Sequence, residues 1–218
     1  MRFVLPRLRR KMIRAKLGVL PFGVVSNNCW GSHIYQAAEM QYTTPFVGLF
    51  LSPTAYVHLL RNWMRLIHSP LEFRDKSSEE CVENIRRLRE TLWPVGVLGG
   101  EVEVQFMHYK NSDEARLKWE SRLKRMPIDL NRLFFKFDDR EGCVAEQMKL
   151  FASLPFPHKV LFTAKSELID LDCAIQIRCP QSIVPDGVTL SRLSPRYFDS
   201  AAWIGGRRQP GSKLLSFV

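Results

Sequence analysis

Residues 21 to 33 read Pro-Phe-Gly-Val-Val-Ser-Asn-Asn-Cys-Trp-Gly-Ser-His, a buried-strand pattern that stops in a cluster of polar and reactive side chains at Ser26, Asn27, Asn28, Cys29 and Trp30. Cys29 falls between a strand end and a helix expected to begin near Trp30, where backbone amides favour an anion and can lower a thiol pKa. His108 closes the apolar run Val102 to Met107 and is expected to emerge at the same rim. A cysteine and a histidine distant in sequence but adjacent in the fold can act as nucleophile and base. The plainer role for Cys29 is packing or a ligand contact. Asn27 and Asn28 suit sugar hydroxyls or phosphate oxygens, and suit equally the turning of a strand into a helix. Further along, Arg122 falls angularly among Ala115, Trp119 and Met126, inside a stripe expected to be buried. A guanidinium there either snorkels to the edge or reaches a ligand crevice and grips an anion.

Other motifs carry less. Asp170-Leu171-Asp172 has the Asp-x-Asp form with which many glycosyltransferases hold a divalent metal and a sugar nucleotide, but so short a triplet has little specificity. Asp138-Asp139 follows an apolar run and is better placed at a sheet edge. No glycine-rich phosphate loop occurs, and His33, His58, His68 and His158 show no ligand spacing. The five cysteines are odd in number and form no Cys-x-x-Cys pair, so neither a disulfide framework nor a structural metal is expected and a reducing, cytoplasmic compartment fits.

The elements that must position these residues follow from periodicity. Short apolar runs at Leu20 to Ser26, Pro45 to Leu51, Val95 to Leu98, Val102 to Met107, Leu133 to Phe137 and Lys159 to Thr163 read as strands. Helical patterns alternate with them. One is predicted from Ser52-Pro53 to about Ile67, and another from Ser78 to Leu92, burying Val82, Ile85, Leu88 and Leu92 with Glu79, Glu83, Arg86 and Arg87 in water. Two more are predicted over Asn111 to Met126 and Cys143 to Leu154. The expected fold is a single α/β domain, an open and mostly parallel sheet flanked by helices with Rossmann-like layering. Ligands of such sheets bind at the carboxyl ends of the strands, where the Cys29 loop should sit. The expected organisation is a basic leader over 1–19, the α/β core over 20–165, and an irregular extension over 166–218 that packs on the core.

The formal charge of +10 is concentrated at the front, because residues 1 to 16 hold seven of the 32 Lys and Arg side chains and no acid. Removing the leader leaves the body nearly neutral, so no nucleic-acid partner is expected. Apolar side chains alternate with the basic ones up to Leu17, a pattern suited either to an anionic membrane surface, reached through residues 1–17, or to a solvated leader. No apolar stretch approaches the ~20 residues needed to span a bilayer.

The segment Ser26-Asn27-Asn28-Cys29-Trp30-Gly31 resembles a bacterial domain-of-unknown-function family (nineteen-nineteen), whose members are often labelled exopolysaccharide or capsular polysaccharide biosynthesis proteins. Further segments carry the resemblance: Tyr42 to Phe50, Trp93-Pro94-Val95-Gly96, Phe106-Met107-His108-Tyr109, Glu114-Ala115, Lys118 to Arg122, Lys159 to Thr163 and Tyr197-Phe198-Asp199. Together they cover roughly residues 20 to 205, with the basic leader outside the pattern. The resemblance implies an α/β fold and a link to surface polysaccharide at the cytoplasmic membrane face, and it adds Tyr109 and Trp119 to the residues expected at the crevice. It supplies no reaction. The leading expectation is a glycosyltransferase-like transferase of exopolysaccharide assembly. Its substrate would be a saccharide or sugar nucleotide, held by Asn27, Asn28, His108 and Arg122, with His108 as general base. The alternatives are a thiol-dependent acyl or related group transferase using Cys29 and His108, and a non-catalytic saccharide-binding or assembly protein.

Overall fold

The computed structural model describes residues 7–18, 20–88 and 92–206. The chain opens with α1 (Arg7–Leu17) and enters β1 (Gly23–Ser26), which is buried at every position. A 3-10 turn over Cys29–Gly31 leads into α2 (Ser32–Ala38), and an irregular segment follows it to α3 (Pro53–Arg61), capped by the Ser52 hydroxyl with Pro53 in its first turn. Next come α4 (Trp63–Leu66), β2 (Leu71–Arg74), α5 (Glu80–Leu88), β3 (Val95–Leu98) and β4 (Val102–Gln105). The second half holds α6 (Ser112–Leu123), β5 (Leu133–Asp138), α7 (Ala145–Ser153), β6 (Lys159–Thr163), β7 (Ala174–Gln176), α8 (Gly187–Leu193) and α9 (Ser200–Ile204).

The strands form two sheets. A wholly parallel sheet has the order β1-β5-β6-β7, and an antiparallel sheet has the order β2-β3-β4. Side chains alternate across the parallel sheet and both faces are covered, which is why β1 and β5 read as continuous apolar runs. Val25, Phe135, Phe137 and Leu161 face one core with α3, α7 and the antiparallel sheet. Val24, Phe134, Val160 and Phe162 face a second core with Leu17, Tyr35, Leu190 and Trp203, contributed by α1, α2, α8 and α9. The α/β expectation holds.

Several elements depart from expectation. The β3–β4 hairpin turns through Gly99 and Gly100, both at positive φ, and pairs with a strand that the sequence reading missed, so the parallel sheet excludes it. Pro45 to Leu51 is not a strand: Pro45 cannot donate to a ladder, Gly48 takes φ +72, and only Phe50 bridges to Gln105. The long helix expected over 52–67 breaks at Asn62, whose side chain donates to the His58 carbonyl at 3.0 Å alongside its own backbone amide at 3.2 Å.

In α5, Val82 is buried as expected but Arg86 is buried too, whereas Leu88 is 84% exposed and Leu92 beyond it 78%. Arg86 pairs with Glu83 at 2.7 Å and donates to the carbonyls of Asp75 (3.0 Å) and Trp93 (2.9 Å), which offsets the cost of burying it. Nor is the segment after residue 165 irregular. It supplies β7, α8 and α9, short elements between prolines whose periodicity is too brief to read. The leader, within the described residues, is a helix docked on the body. Leu17 is buried, Arg14 donates to the α2 carboxyl-terminal carbonyls of Ala38 (2.6 Å) and Glu39 (3.0 Å), and Lys16 pairs with Asp199 at 2.6 Å. Residues 1–6 of the leader lie outside the described residues.

Candidate active site

At the carboxyl end of β1 the chain turns through Asn27 and Asn28 onto a buried ion pair. Lys136 and Asp138 alternate on one face of β5, so both point to the same spot, and neither is accessible to solvent. Asp138 accepts from Asn27 Nδ2 at 3.2 Å and from Asn28 Nδ2 at 2.7 Å. Lys136 Nζ donates to Asn27 Oδ1 at 3.2 Å, to Asn28 Oδ1 at 3.0 Å, and to Asp138. Burial pushes the Asp138 carboxyl up, but the Lys136 ammonium and the hydrogen bonds from Lys136, Asn28 and Asn27 outweigh this and hold it below the ordinary carboxylate value. Burial holds the Lys136 ammonium below its ordinary value against the pull of Asp138, and the two groups together fix both asparagine side chains.

Asn28 uses the same Oδ1 to accept from the Trp30 amide at 3.2 Å, capping the turn that carries Cys29. Cys29 Sγ then stands 3.4 Å from His108 Nε2. His108 is placed by its own amide, which donates to the Gly48 carbonyl at 3.2 Å. A Cβ on Gly48 would lie 3.3 Å from His108 Cβ, and the φ of +72 there favours glycine. The expected lowering of the thiol pKa does not follow: burial pushes Cys29 up, the Lys136 ammonium pulls it back, and the Asp186 carboxylate adds to the rise. A three-residue 3-10 turn offers too few aligned amides to reverse the burial effect. At neutral pH the group is a thiol in contact with His108.

This pair opens on a cleft of about 450 Å³, within the range of small-molecule sites. Its apolar lining comes from Val82, Ile85 and Leu88 of α5 with Trp93, Leu49, Phe50, Met107 and Val188. Its polar lining comes from Asn28, Arg140, Glu141 and Asp186. Arg140 donates to the Val184 carbonyl at 3.0 Å and lies beside Glu141, itself at φ +55. Asp186 caps α8, and Gly187 is needed behind it because a Cβ there would meet Asn28 Oδ1 at 2.6 Å.

Of the residues expected at the crevice, Asn28, Cys29 and His108 line it. Asn27 and Ser26 are buried just beneath. Trp30 is buried against Phe162 and donates to Ser194 at 3.0 Å, so it packs rather than binds. Trp119 packs among Phe46 and Phe106. Arg122 faces away from the cleft, donating to Tyr109 Oη at 2.5 Å and the Val47 carbonyl at 3.2 Å while stacking on Tyr42. Tyr109 in turn donates to Val47. Arg122 and Tyr109 hold the Val47–Gly48 segment that supports His108. The Asp170-x-Asp172 pair precedes β7, at the end of the sheet opposite the cleft, and Asp139 is occupied by Thr163, Ala164 and Val184. Among the described residues, no group of three or more His, Cys, Asp and Glu side chains is placed to hold a metal ion.

The family described as "Domain of unknown function (DUF1919)" matches residues 2–204. The chain belongs to the DUF1919 family. The match takes in α1, so the basic leader lies inside the DUF1919 pattern and not outside it, in keeping with its docking on α2 and α9. The chain is also similar to an uncharacterized protein of Haemophilus influenzae, 34% identical over 155 residues that span 71% of this chain and 68% of the relative.

Asp138 was visible in the sequence at a sheet edge, but its partner Lys136 escaped notice. The signal was present, since Leu133-Phe-Phe-Lys-Phe-Asp sets a lysine amid phenylalanines in a strand buried on both faces, where it must find a counter-charge.

Proposed function

We propose that this protein is a cysteine-dependent acyl transferase that modifies a saccharide hydroxyl, in the assembly of a surface polysaccharide. The observation that carries the reading is the 3.4 Å contact of Cys29 Sγ with His108 Nε2 in the lining of the cleft. In the first half-reaction His108 takes the thiol proton as Sγ attacks the carbonyl of an acyl thioester. The Sγ–C bond forms, the bond to the donor sulfur breaks, and the proton leaves with the donor thiol. In the second, His108 takes the proton of a sugar hydroxyl, the oxygen–carbon bond forms, and Sγ departs and regains its proton.

The polar lining supports the acceptor half of this scheme, because Glu141 and Asp186 offer carboxylate oxygens that sugar hydroxyls can donate to. Sugar-nucleotide transfer is less supported, since Arg122, its expected anion grip, is engaged with Tyr109 and Val47. All five cysteines are unpaired, consistent with work in a reducing compartment, where we place the protein. No described helix is long and apolar enough to cross a membrane.

The test is intact-mass spectrometry of the full chain after incubation with acyl thioesters. We expect one acyl adduct, located on Cys29, that a polysaccharide fragment discharges. Cys29→Ala should carry none and His108→Ala should slow its formation by ~10²-fold or more. Adduct formation indifferent to both changes would sink the reading, as would polysaccharide production surviving both in cells.

A further inference from the structure

The α5 helix is turned the wrong way for a helix that only covers a core. It buries Arg86, with Glu83 and two backbone carbonyls as partners, and sets Ile85 and Leu88 toward the cleft, where Leu88 is 84% exposed. Isolated exposed leucines are ordinary, but a contiguous apolar strip beside a cleft marks a ligand surface. Trp93, buried with its indole N–H donating to Gln105 at 3.0 Å, and Leu49 and Phe50 add to the apolar lining of the same cleft. None of these side chains is charged. The charged groups that line the cleft are Arg140, Glu141 and Asp186. Cys29 lines the same cleft, so an apolar chain with an electrophilic carbonyl at its tip suits both the apolar lining and the nucleophile.

We infer that the group carried on Cys29 is an acyl chain of several carbons, seated along Ile85, Leu88 and Trp93, and not an acetyl group. This rests on the acyl-transfer reading above. Each methylene fully removed from water contributes about 0.8 kcal/mol, roughly a fourfold gain in rate constant per carbon. In a cleft open to solvent the gain per carbon is smaller, but its direction is the same.

The experiment uses the full chain with the acetyl, butanoyl, hexanoyl and octanoyl thioesters of N-acetylcysteamine, and reads kcat/KM for the Cys29 adduct. We expect a rise of at least about tenfold from acetyl to octanoyl. Leu88→Ser, at an exposed position that the fold tolerates, should collapse the octanoyl-to-acetyl ratio several-fold. A flat profile, or a preference for acetyl, overturns the inference and leaves the transfer reading standing. If no thioester reacts, the transfer reading fails, and a second arm still decides the chain site. Octanamide binding to Cys29→Ala, measured by calorimetry, should be lost in Cys29→Ala/Leu88→Ser. Octanamide that fails to bind Cys29→Ala, or binds both variants equally, overturns the chain site itself.

Discussion

Lys136 sits inside a parallel sheet with no water to solvate it, so its charge must be met by whatever the neighbouring strand supplies. Asp138 meets it from two positions along the same strand, and Asn27 and Asn28 complete the set from β1. Breaking such a pair leaves an uncompensated buried charge. Asp138→Leu should therefore cost about 3–5 kcal/mol in urea unfolding, and adding Lys136→Met should restore much of the loss. A double variant as unstable as the single one would show that the charges are not coupled. The thiol above them yields a second expectation. Because burial raises the Cys29 pKa, its alkylation by iodoacetamide should rise with pH toward a midpoint above the ordinary thiol range. A midpoint near or below neutrality would mean a preformed thiolate and would remove the need for His108 as base. The sequence made Cys29 and His108 visible as partners, since both close apolar runs. It could not show that Asn27 and Asn28 answer to a lysine far along the chain, because side-chain pairing across strands depends on register, which no local pattern encodes.

Elements went astray where a polar side chain overruled a periodicity. Asn62 cut one helix in two, and Arg86 found partners in Glu83, Asp75 and Trp93 that turned α5 about its axis. The boundaries of α6 and α7 were legible because their caps are local, as Asn111 accepting from the Glu114 amide at 2.9 Å illustrates. Two element contacts can be tested. Glu101, in the β3–β4 turn, accepts from Arg65 at 2.5 and 2.9 Å and from His58 at 3.0 Å, chiefly through Arg65, and its carboxyl is held at about 2. A depressed carboxyl stabilises the fold above the ordinary carboxylate range and loses that contribution as pH falls toward 2. Thermal melts of the wild type and Glu101→Gln should differ at pH 7 and converge near pH 2; a gap that persists in acid would assign the effect to packing. At α8, Gly187→Ala would press a methyl onto Asn28, so it should reduce Cys29 acylation by more than its effect on the melting temperature explains.

At the scale of the molecule, α1 and α9 are parts of one packed unit. Gly205, just after α9, lies so close to α1 that a Cβ there would meet the Lys16 carbonyl oxygen at 1.8 Å. Deleting residues 1–17 removes the buried Leu17 and the Arg14 bonds that close α2. We expect a loss of about 2–4 kcal/mol by denaturant titration, more than shedding an unattached leader would give. The α/β class was legible because each buried strand is a dense apolar run, whereas the division into two sheets was not. A run such as Val95 to Leu98 carries no mark of whether its neighbour will be parallel or antiparallel.

The register of the parallel sheet sets an order of events during synthesis. Gly23 pairs with Leu133, so β1 leaves the ribosome roughly 5–20 s before the strand it hydrogen-bonds to has been made. In that interval the intervening chain can close its own antiparallel sheet through local hairpin contacts, while Gly23 to Ser26 waits as an unpaired apolar edge open to chaperones or to a second nascent chain. The yield of folded protein should thus depend on how fast the ribosome reaches β5, and slow codons between β4 and β5 would be paid for in aggregate.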